Sequence, residues 1–158
     1  MANSSDLLFR TIADRDYLEF GSGESFNPHR VVRFLELSKS DVAKVAGVAP
    51  ASVRFDQEMP KGVRDPLLEV GNICGLVAQF FAGDVAKTAL WFKAKNPLFG
   101  DISPRDMICY GRYERLRRFV MSALEENAAS EGIAGRHAAG ERTRGAAVAA
   151  AAGTSRPG

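Results

Sequence analysis

Residues 65–82, DPLLEVGNICGLVAQFFA, carry the strongest secondary-structure pattern in this chain. Gly71 and Gly75 lie one helical turn apart, and each costs up to about 1 kcal/mol of helix propensity relative to alanine. We therefore expect a central helix that another helix backbone approaches closely at the two glycines. The apolar side chains recur at steps of three and four residues, as on one face of a buried helix: Val70, Ile73, Cys74, Val77, Phe80 and Phe81.

Capping residues and prolines predict further helices on both sides of this one. Asn27-Pro28 begins a helix that ends near Ser38. Asp84 caps a helix that stops before Asn96-Pro97, because a residue preceding proline is pushed out of the helical region. Ser103-Pro104 opens the next helix. Since almost no stretch alternates apolar and polar residues, we expect an all-α fold. A last helix carries its apolar residues on one face: Leu116, Phe119, Val120, Ala123 and Leu124.

Composition divides the chain into four expected segments. They are an N-terminal extension (1–26), a helix-turn-helix region (27–64), a second helical domain (65–127) and an Ala/Gly-rich tail (128–158). The tail holds 11 Ala and 6 Gly, too little apolar surface to offset its ordering entropy, so we expect it to be flexible in isolation. The extension is apolar enough to dock on the core through Leu7, Leu8, Phe9, Tyr17, Leu18 and Phe20.

Charge and hydropathy exclude several classes of protein. The formal net charge is +2, and it comes from residues 128–158, which hold four basic and two acidic side chains, so that residues 1–127 are neutral. A neutral body argues against a bulk polyanion binder, though not against a local basic patch. The longest apolar run, near residues 73–82, is shorter than the roughly 20 residues that span a bilayer. With no signal-peptide pattern and two unclustered thiols, Cys74 and Cys109, we expect buried cysteines in a cytoplasmic protein.

Catalytic and metal-binding patterns are missing from the sequence. The two histidines, His29 and His137, are paired with no obvious nucleophile, and the cysteines lie in apolar contexts. No His/Cys cluster has ligand spacing, and no glycine-rich phosphate loop follows a strand. We therefore expect no enzyme activity, no cofactor and no metal.

Residues 41–54, DVAKVAGVAPASVR, have the arrangement of a helix-turn-helix. Ala43 offers a small residue at the helix crossing, Gly47 the tight turn and Val53 an anchor on a second helix that begins at Pro50. Two interpretations stay open: an operator-binding motif, or a helical hairpin that never contacts DNA. The first predicts three DNA-binding residues: Ser52, Arg54 and Gln57.

Residues 91–106, WFKAKNPLFGDISPRD, form the second informative segment. Its pattern is a helix, a stop, an apolar loop and a capped restart. Leu98 and Phe99 are large apolar residues in a loop, so they either fill the core or belong to a partner surface. Taken alone, the usual burial of such residues favours the core.

This order of parts resembles the toxin-binding domain of the Xre/MbcA/ParS antitoxin family. The shared pattern runs from Asp84 to Asp106 and includes Ala89, Trp91, Asn96-Pro97, Leu98-Phe99-Gly100 and Ser103-Pro104. The match extends over roughly residues 29–127, because the family places an Xre-type helix-turn-helix in front. Within the family, the chain looks closest to the ParS branch.

The resemblance implies a function and a partner. Members pair with a RES-domain toxin, whose fold resembles ADP-ribosyltransferases and which consumes NAD or modifies phosphoribosyl pyrophosphate synthetase. The antitoxin covers the NAD-binding cleft, and it often dimerises so that two antitoxins carry two toxins. Repression of its own operon is an additional hypothesis, and a stand-alone helix-turn-helix regulator is the alternative. The expected toxin-binding residues are Trp91, Lys93, Asn96, Pro97, Leu98, Phe99, Gly100, Arg112 and Arg115.

The tail suggests a further hypothesis. Residues 128–158 follow the toxin-binding segment directly, so they are candidates for occluding the NAD site or bracing the complex. The alternative is a passive terminal extension.

Overall fold

The computed structural model describes Ala13, residues 15–56 and residues 58–134. Within these residues the chain forms six α-helices and no strand, which confirms the predicted all-α fold. Three single turns of 3₁₀ helix are also present: Gly23–Ser25 precedes the first α-helix, and Pro50–Ser52 and Pro97–Phe99 lie between α-helices. The α-helices are α1 (Pro28–Leu35), α2 (Lys39–Ala46), α3 (Lys61–Phe80), α4 (Val85–Lys93), α5 (Pro104–Cys109) and α6 (Tyr113–Ala134).

The central helix is α3, which packs against α1, α2, α4 and α6. Of its predicted apolar face, Val70, Ile73, Cys74 and Val77 are buried, and Phe80 and Phe81 are partly buried against the core. A Cβ atom added to Gly71 would lie 3.1 Å from Cγ2 of Val31 on α1, so the neighbour at this glycine is a side chain of another helix and not the predicted helix backbone. At Gly75 the neighbour is the side chain of Ala13, at 3.3 Å, and not another helix.

Among the described residues, no single helix is both long enough and apolar enough to cross a membrane. Helices α3 and α4 reach that length and composition only as a pair, and the pair is bent by 119°. The apolar residues of α3 are instead part of the core that surrounds it.

The N-caps predicted from sequence are present. Each short polar side chain accepts a hydrogen bond from a backbone N–H in the first turn of its helix, which satisfies a donor that the helix itself leaves free. The three bonds join Asn27 Oδ1 to His29 N at 3.0 Å, Asp84 Oδ1 to Lys87 N at 3.0 Å, and Ser103 Oγ to Asp106 N at 3.0 Å.

The junction of α1 and α2 differs from the prediction. Helix α1 ends at Leu35 and not near Ser38, because Glu36 adopts a left-handed conformation with φ 52°. Ser38 then begins α2 with a capping box: its hydroxyl oxygen accepts from Asp41 N at 3.1 Å, and Asp41 Oδ2 accepts from Ser38 N at 2.9 Å. The sharp change of direction at Glu36 separates the two short helices.

One hydrophobic core joins the segments on either side of α3. Phe20 and Phe26 from the N-terminal extension are buried in it, as are both cysteines, which are free thiols. The boundary predicted between residues 64 and 65 falls inside α3. The predicted docking residues Leu7, Leu8 and Phe9 lie outside the described residues.

The C-terminal helix is longer than composition suggested. Helix α6 continues to Ala134, so residues 128–134 are helical and do not begin the predicted tail. Alanine has the highest helix propensity of the amino acids, which explains why an Ala-rich stretch extends a helix that is already anchored on the core. The rest of the tail, and with it the tail hypothesis, lies outside the described residues.

The second helix predicted for the helix-turn-helix is wrong. Gly47 makes the expected turn with φ 68°, and Ala43 and Val53 are buried as expected, but Pro50–Ser52 is a single 3₁₀ turn. Val53 and Met59 are the buried residues between that turn and α3. Their spacing of six does not place them on one face of a helix, and Pro60 disfavours a helical Met59, so their burial does not support a recognition helix here.

Candidate functional site

The loop between α4 and α5 is a closed turn, which we call the 96–102 turn (Asn96–Ile102). Its base is an antiparallel bridge in which Asn96 N donates to Ile102 O at 3.1 Å. The Asn96 side chain accepts from Leu98 N at 3.0 Å, and its backbone oxygen accepts from Phe99 N at 3.0 Å and Asp101 N at 3.1 Å. A single asparagine therefore organises the whole turn.

Two left-handed residues complete the turn. Gly100 has φ 76° and Asp101 has φ 61°. No atom lies within 4 Å of a Cβ built on Gly100, so its backbone conformation, not crowding, is what favours glycine there. Pro97 fixes the first position of the 3₁₀ turn that precedes them.

The two large apolar residues of the turn have different environments. Phe99 is buried, and its ring packs edge-on against Phe119 of α6 with centroids 4.9 Å apart. Leu98 is 51% exposed. The sequence left open whether these two residues fill the core or lie on a surface. Phe99 is part of the core, and Leu98 lies on the surface.

Trp91 and Asn96, both expected to bind a partner, are buried at 0% and 2% exposure. Neither Trp91 Nε1 nor Asn96 Nδ2 has a hydrogen-bond partner among the described residues. A buried donor without a partner costs about 1–3 kcal/mol, and such groups concentrate where structure is kept for function. Their burial means that neither side chain is exposed for the partner contact expected from the sequence.

Two cations of the predicted set lie near the start of α6. Arg112 and Arg115 are exposed, and neither has an ion-pair partner among the described residues. Arg115 precedes Phe119 by one helical turn, so it lies on the side of α6 that receives Phe99. Arg117, in contrast, is paired with Glu114.

Lys93, the remaining cation of the predicted set, has a partner within the chain. Its Nζ atom lies 2.9 Å from Glu36 Oε2 at the end of α1. Hydrogen bonding and charge from Lys93, with a smaller contribution from Arg105, hold the pKa of the Glu36 carboxyl below its usual value.

Arg105 is the important residue that sequence reasoning missed. Its Nε donates to Leu35 O at 2.6 Å, and its Nη2 donates to Glu36 O at 2.6 Å. The guanidinium also lies 3.7 Å from Asp41 and from Asp106. These contacts span up to 70 positions along the chain, so no local spacing could have revealed them.

Asp41 and Cys109 lie beside this arginine. Burial acts against ionisation of Asp41, but hydrogen bonds from Ser38 and the charge of Arg105 hold the pKa of its carboxyl below the usual value. Burial, together with the charge of Asp41, raises the pKa of the Cys109 thiol to about 11. Cys109 is therefore a protonated thiol at neutral pH and not a reactive thiolate.

The predicted DNA-binding residues do not share a helix. Ser52 ends the 3₁₀ turn and Arg54 follows in non-helical chain; both are exposed. Gln57 lies outside the described residues. The nearby Phe55 is 42% exposed, and its ring lies against His29 with centroids 6.4 Å apart.

Comparison with known proteins adds no assignment: no family model, no curated protein and no solved structure matches this chain. The case for a function therefore depends on the 91–106 motif and on the surface that the structure builds from it.

Proposed function

We propose that this chain is the antitoxin of a toxin–antitoxin pair and that it binds a RES-domain toxin through the 96–102 turn. The proposal rests on the resemblance of the 91–106 motif to the Xre/MbcA/ParS toxin-binding domain. In this proposal the chain performs no chemistry and acts by covering the NAD-binding cleft of the toxin.

The observation that carries the proposal is the exposure of Leu98 at 51% on a turn whose backbone is fixed by hydrogen bonds. Leu98 is one of several large apolar side chains exposed among the described residues, and it is distinguished by its place on a turn that fixes its backbone. A rigid apolar tip loses little conformational entropy on binding, which favours affinity for a preformed pocket.

The charges around the tip suggest the chemistry of the partner. Arg115 is an exposed cation on the side of α6 that receives Phe99, and opposite charges across an interface favour encounter and register. We expect the toxin to present an apolar pocket for Leu98 with acidic side chains at its rim.

The alternative, a stand-alone DNA-binding regulator, has less support. It requires a helix that presents Ser52 and Arg54 together to the major groove, whereas Pro50–Ser52 is a single 3₁₀ turn. It also gives no function to the 96–102 turn. Repression of the operon is therefore not part of the proposal, and the homodimer with two bound toxins remains an expectation drawn from the resemblance.

Co-purification tests the proposal. A tagged RES-domain toxin is expressed with this chain, and we expect both to elute as one complex in size-exclusion chromatography. An unrelated folded NAD-binding protein serves as the control bait. Separate elution of the two proteins, each folded by circular dichroism, would contradict the proposal.

A further inference from the structure

The residues on both sides of the 96–102 turn contact the same distant residue, Glu36, which follows α1. Lys93, three residues before the turn, pairs with the side chain of Glu36 at 2.9 Å. Arg105, three residues after it, donates to the backbone oxygen of Glu36 at 2.6 Å. Glu36 is thus the common anchor for the chain entering and leaving the turn.

The backbone at Glu36 is shaped for this contact. Helix α1 ends at Leu35, so the last carbonyl groups of α1 have no further helical turn to bond them. The left-handed conformation of Glu36 leaves its carbonyl and that of Leu35 available to one guanidinium, which bonds both. A cation at the end of a helix is also favoured by the helix dipole.

Arginine is the side chain suited to this position. Its planar fork can donate to two carbonyl oxygens at once, whereas lysine carries a single charged nitrogen. The Arg105 side chain is only 26% exposed, and Asp41 and Asp106 flank it at 3.7 Å. This arginine is therefore held in one place by four groups of the chain.

We infer that Glu36, Arg105 and Lys93 form a brace that positions the 96–102 turn, with Arg105 as the principal positioning residue. The name "brace" refers to these three residues below. The inference that the brace serves partner binding rests on the proposed function; the effect on the turn itself does not.

The brace has a consequence for binding. A turn that is held in its bound shape loses less entropy when a partner engages Leu98, so loosening the brace should weaken the complex mainly through faster dissociation. It also links the turn to the α1–α2 junction, because Glu36 lies at that junction.

Amide hydrogen exchange of the free, full-length chain tests the inference. We expect Arg105→Lys, which keeps the charge and loses the fork, to speed exchange of the Phe99, Gly100 and Asp101 amides about tenfold. Exchange at Val70 in the centre of α3 should stay within about twofold of the wild type. Glu36→Gln, which removes the Lys93 pair and keeps the backbone oxygen, is the second variant and should speed exchange less.

The matched control is Arg117→Lys, because Arg117 also makes a paired contact, with Glu114, but away from the turn. It should leave exchange in the turn unchanged. Unchanged exchange in the turn in both Arg105→Lys and Glu36→Gln would overturn the inference. So would equal acceleration in the turn and at Val70, since that result means a general loss of stability.

Toxin affinity, measured separately by surface plasmon resonance, distinguishes the two proposals. Faster dissociation of Arg105→Lys with an intact Arg117→Lys complex supports both. A turn that loosens in Arg105→Lys while the wild-type chain binds no toxin would support the brace and overturn the proposed function. If exchange in the turn is unchanged in Arg105→Lys while the wild-type chain binds toxin, the result would support the proposed function and overturn the brace.

Discussion

Asn96 and Glu36 are residues with several structural roles each. Asn96 caps the 3₁₀ turn, closes the bridge to Ile102 and provides the backbone oxygen for two further bonds. Glu36 ends α1 and receives contacts from Lys93 and Arg105. The importance of Asn96 is visible in sequence because asparagine before proline is a known local pattern, whereas that of Glu36 depends on contacts with distant residues.

Asp41 gives a prediction about pH. Its pKa is lowered in the folded state, so its contribution to stability is present above the unfolded pKa and is lost as the pH falls through the folded value. Asp41→Ala should cost about 1 kcal/mol of unfolding free energy at pH 7, the usual effect of losing a cap contact. The difference from the wild type should shrink when the pH falls below about 3.9.

Urea unfolding at pH 7 and at low pH measures this difference. Ser40→Ala, at an exposed position in the same turn of α2, is the control and should have little effect at either pH. A difference between Asp41→Ala and the wild type that grows on acidification would show that the sign of the argument is wrong.

Helices were the most predictable features of this protein. Caps at Asn27, Asp84 and Ser103 act within one turn, so local sequence was enough to place them. The apolar face of α3 followed from spacing for the same reason. The helix predicted at Pro50 was wrong, although the small residues and the turn of the motif are present. Val53 and Met59 are buried by packing that local sequence does not show.

Two glycines of α3 should respond in opposite directions to alanine. A Cβ on Gly71 would lie 3.1 Å from the buried Val31, so Gly71→Ala should destabilise the protein by about 1–3 kcal/mol through overpacking. No atom lies within 4 Å of a Cβ on Gly62, so Gly62→Ala should stabilise it by about 0.4–1 kcal/mol. Urea unfolding of both variants measures the two effects, and stabilisation by Gly71→Ala would contradict the packing around α3.

The candidate site was partly visible in sequence. The motif located the turn, and the ambiguity between core and surface was recognised at Leu98 and Phe99. Only the three-dimensional packing shows that Phe99 reaches Phe119 and that Leu98 remains exposed, because the turn and the middle of α6 are distant in the chain. Arg105 could not be found for the same reason.

The described residues share one hydrophobic core, which includes residues on both sides of the boundary predicted between residues 64 and 65. Helix α3 contributes residues from both sides of that boundary to the core. We therefore expect one cooperative unfolding transition, with circular dichroism and tryptophan fluorescence of the buried Trp91 giving the same midpoint. Two separated midpoints would mean that the segments unfold independently.

The most direct measurement of the central claim is a calorimetric titration of the RES-domain toxin with the wild-type chain, Leu98→Asp and Val85→Asp. Leu98 is 51% exposed and Val85 46% exposed, so neither substitution should harm folding, and only Leu98 lies on the 96–102 turn. If Leu98 is the centre of the interface, its replacement should cost about 2 kcal/mol or more, which weakens binding about 30-fold or more. Val85→Asp should bind within about twofold of the wild type. Equal affinity of Leu98→Asp and the wild-type chain, or no binding by the wild-type chain at all, would contradict the claim that this turn is the toxin-binding surface.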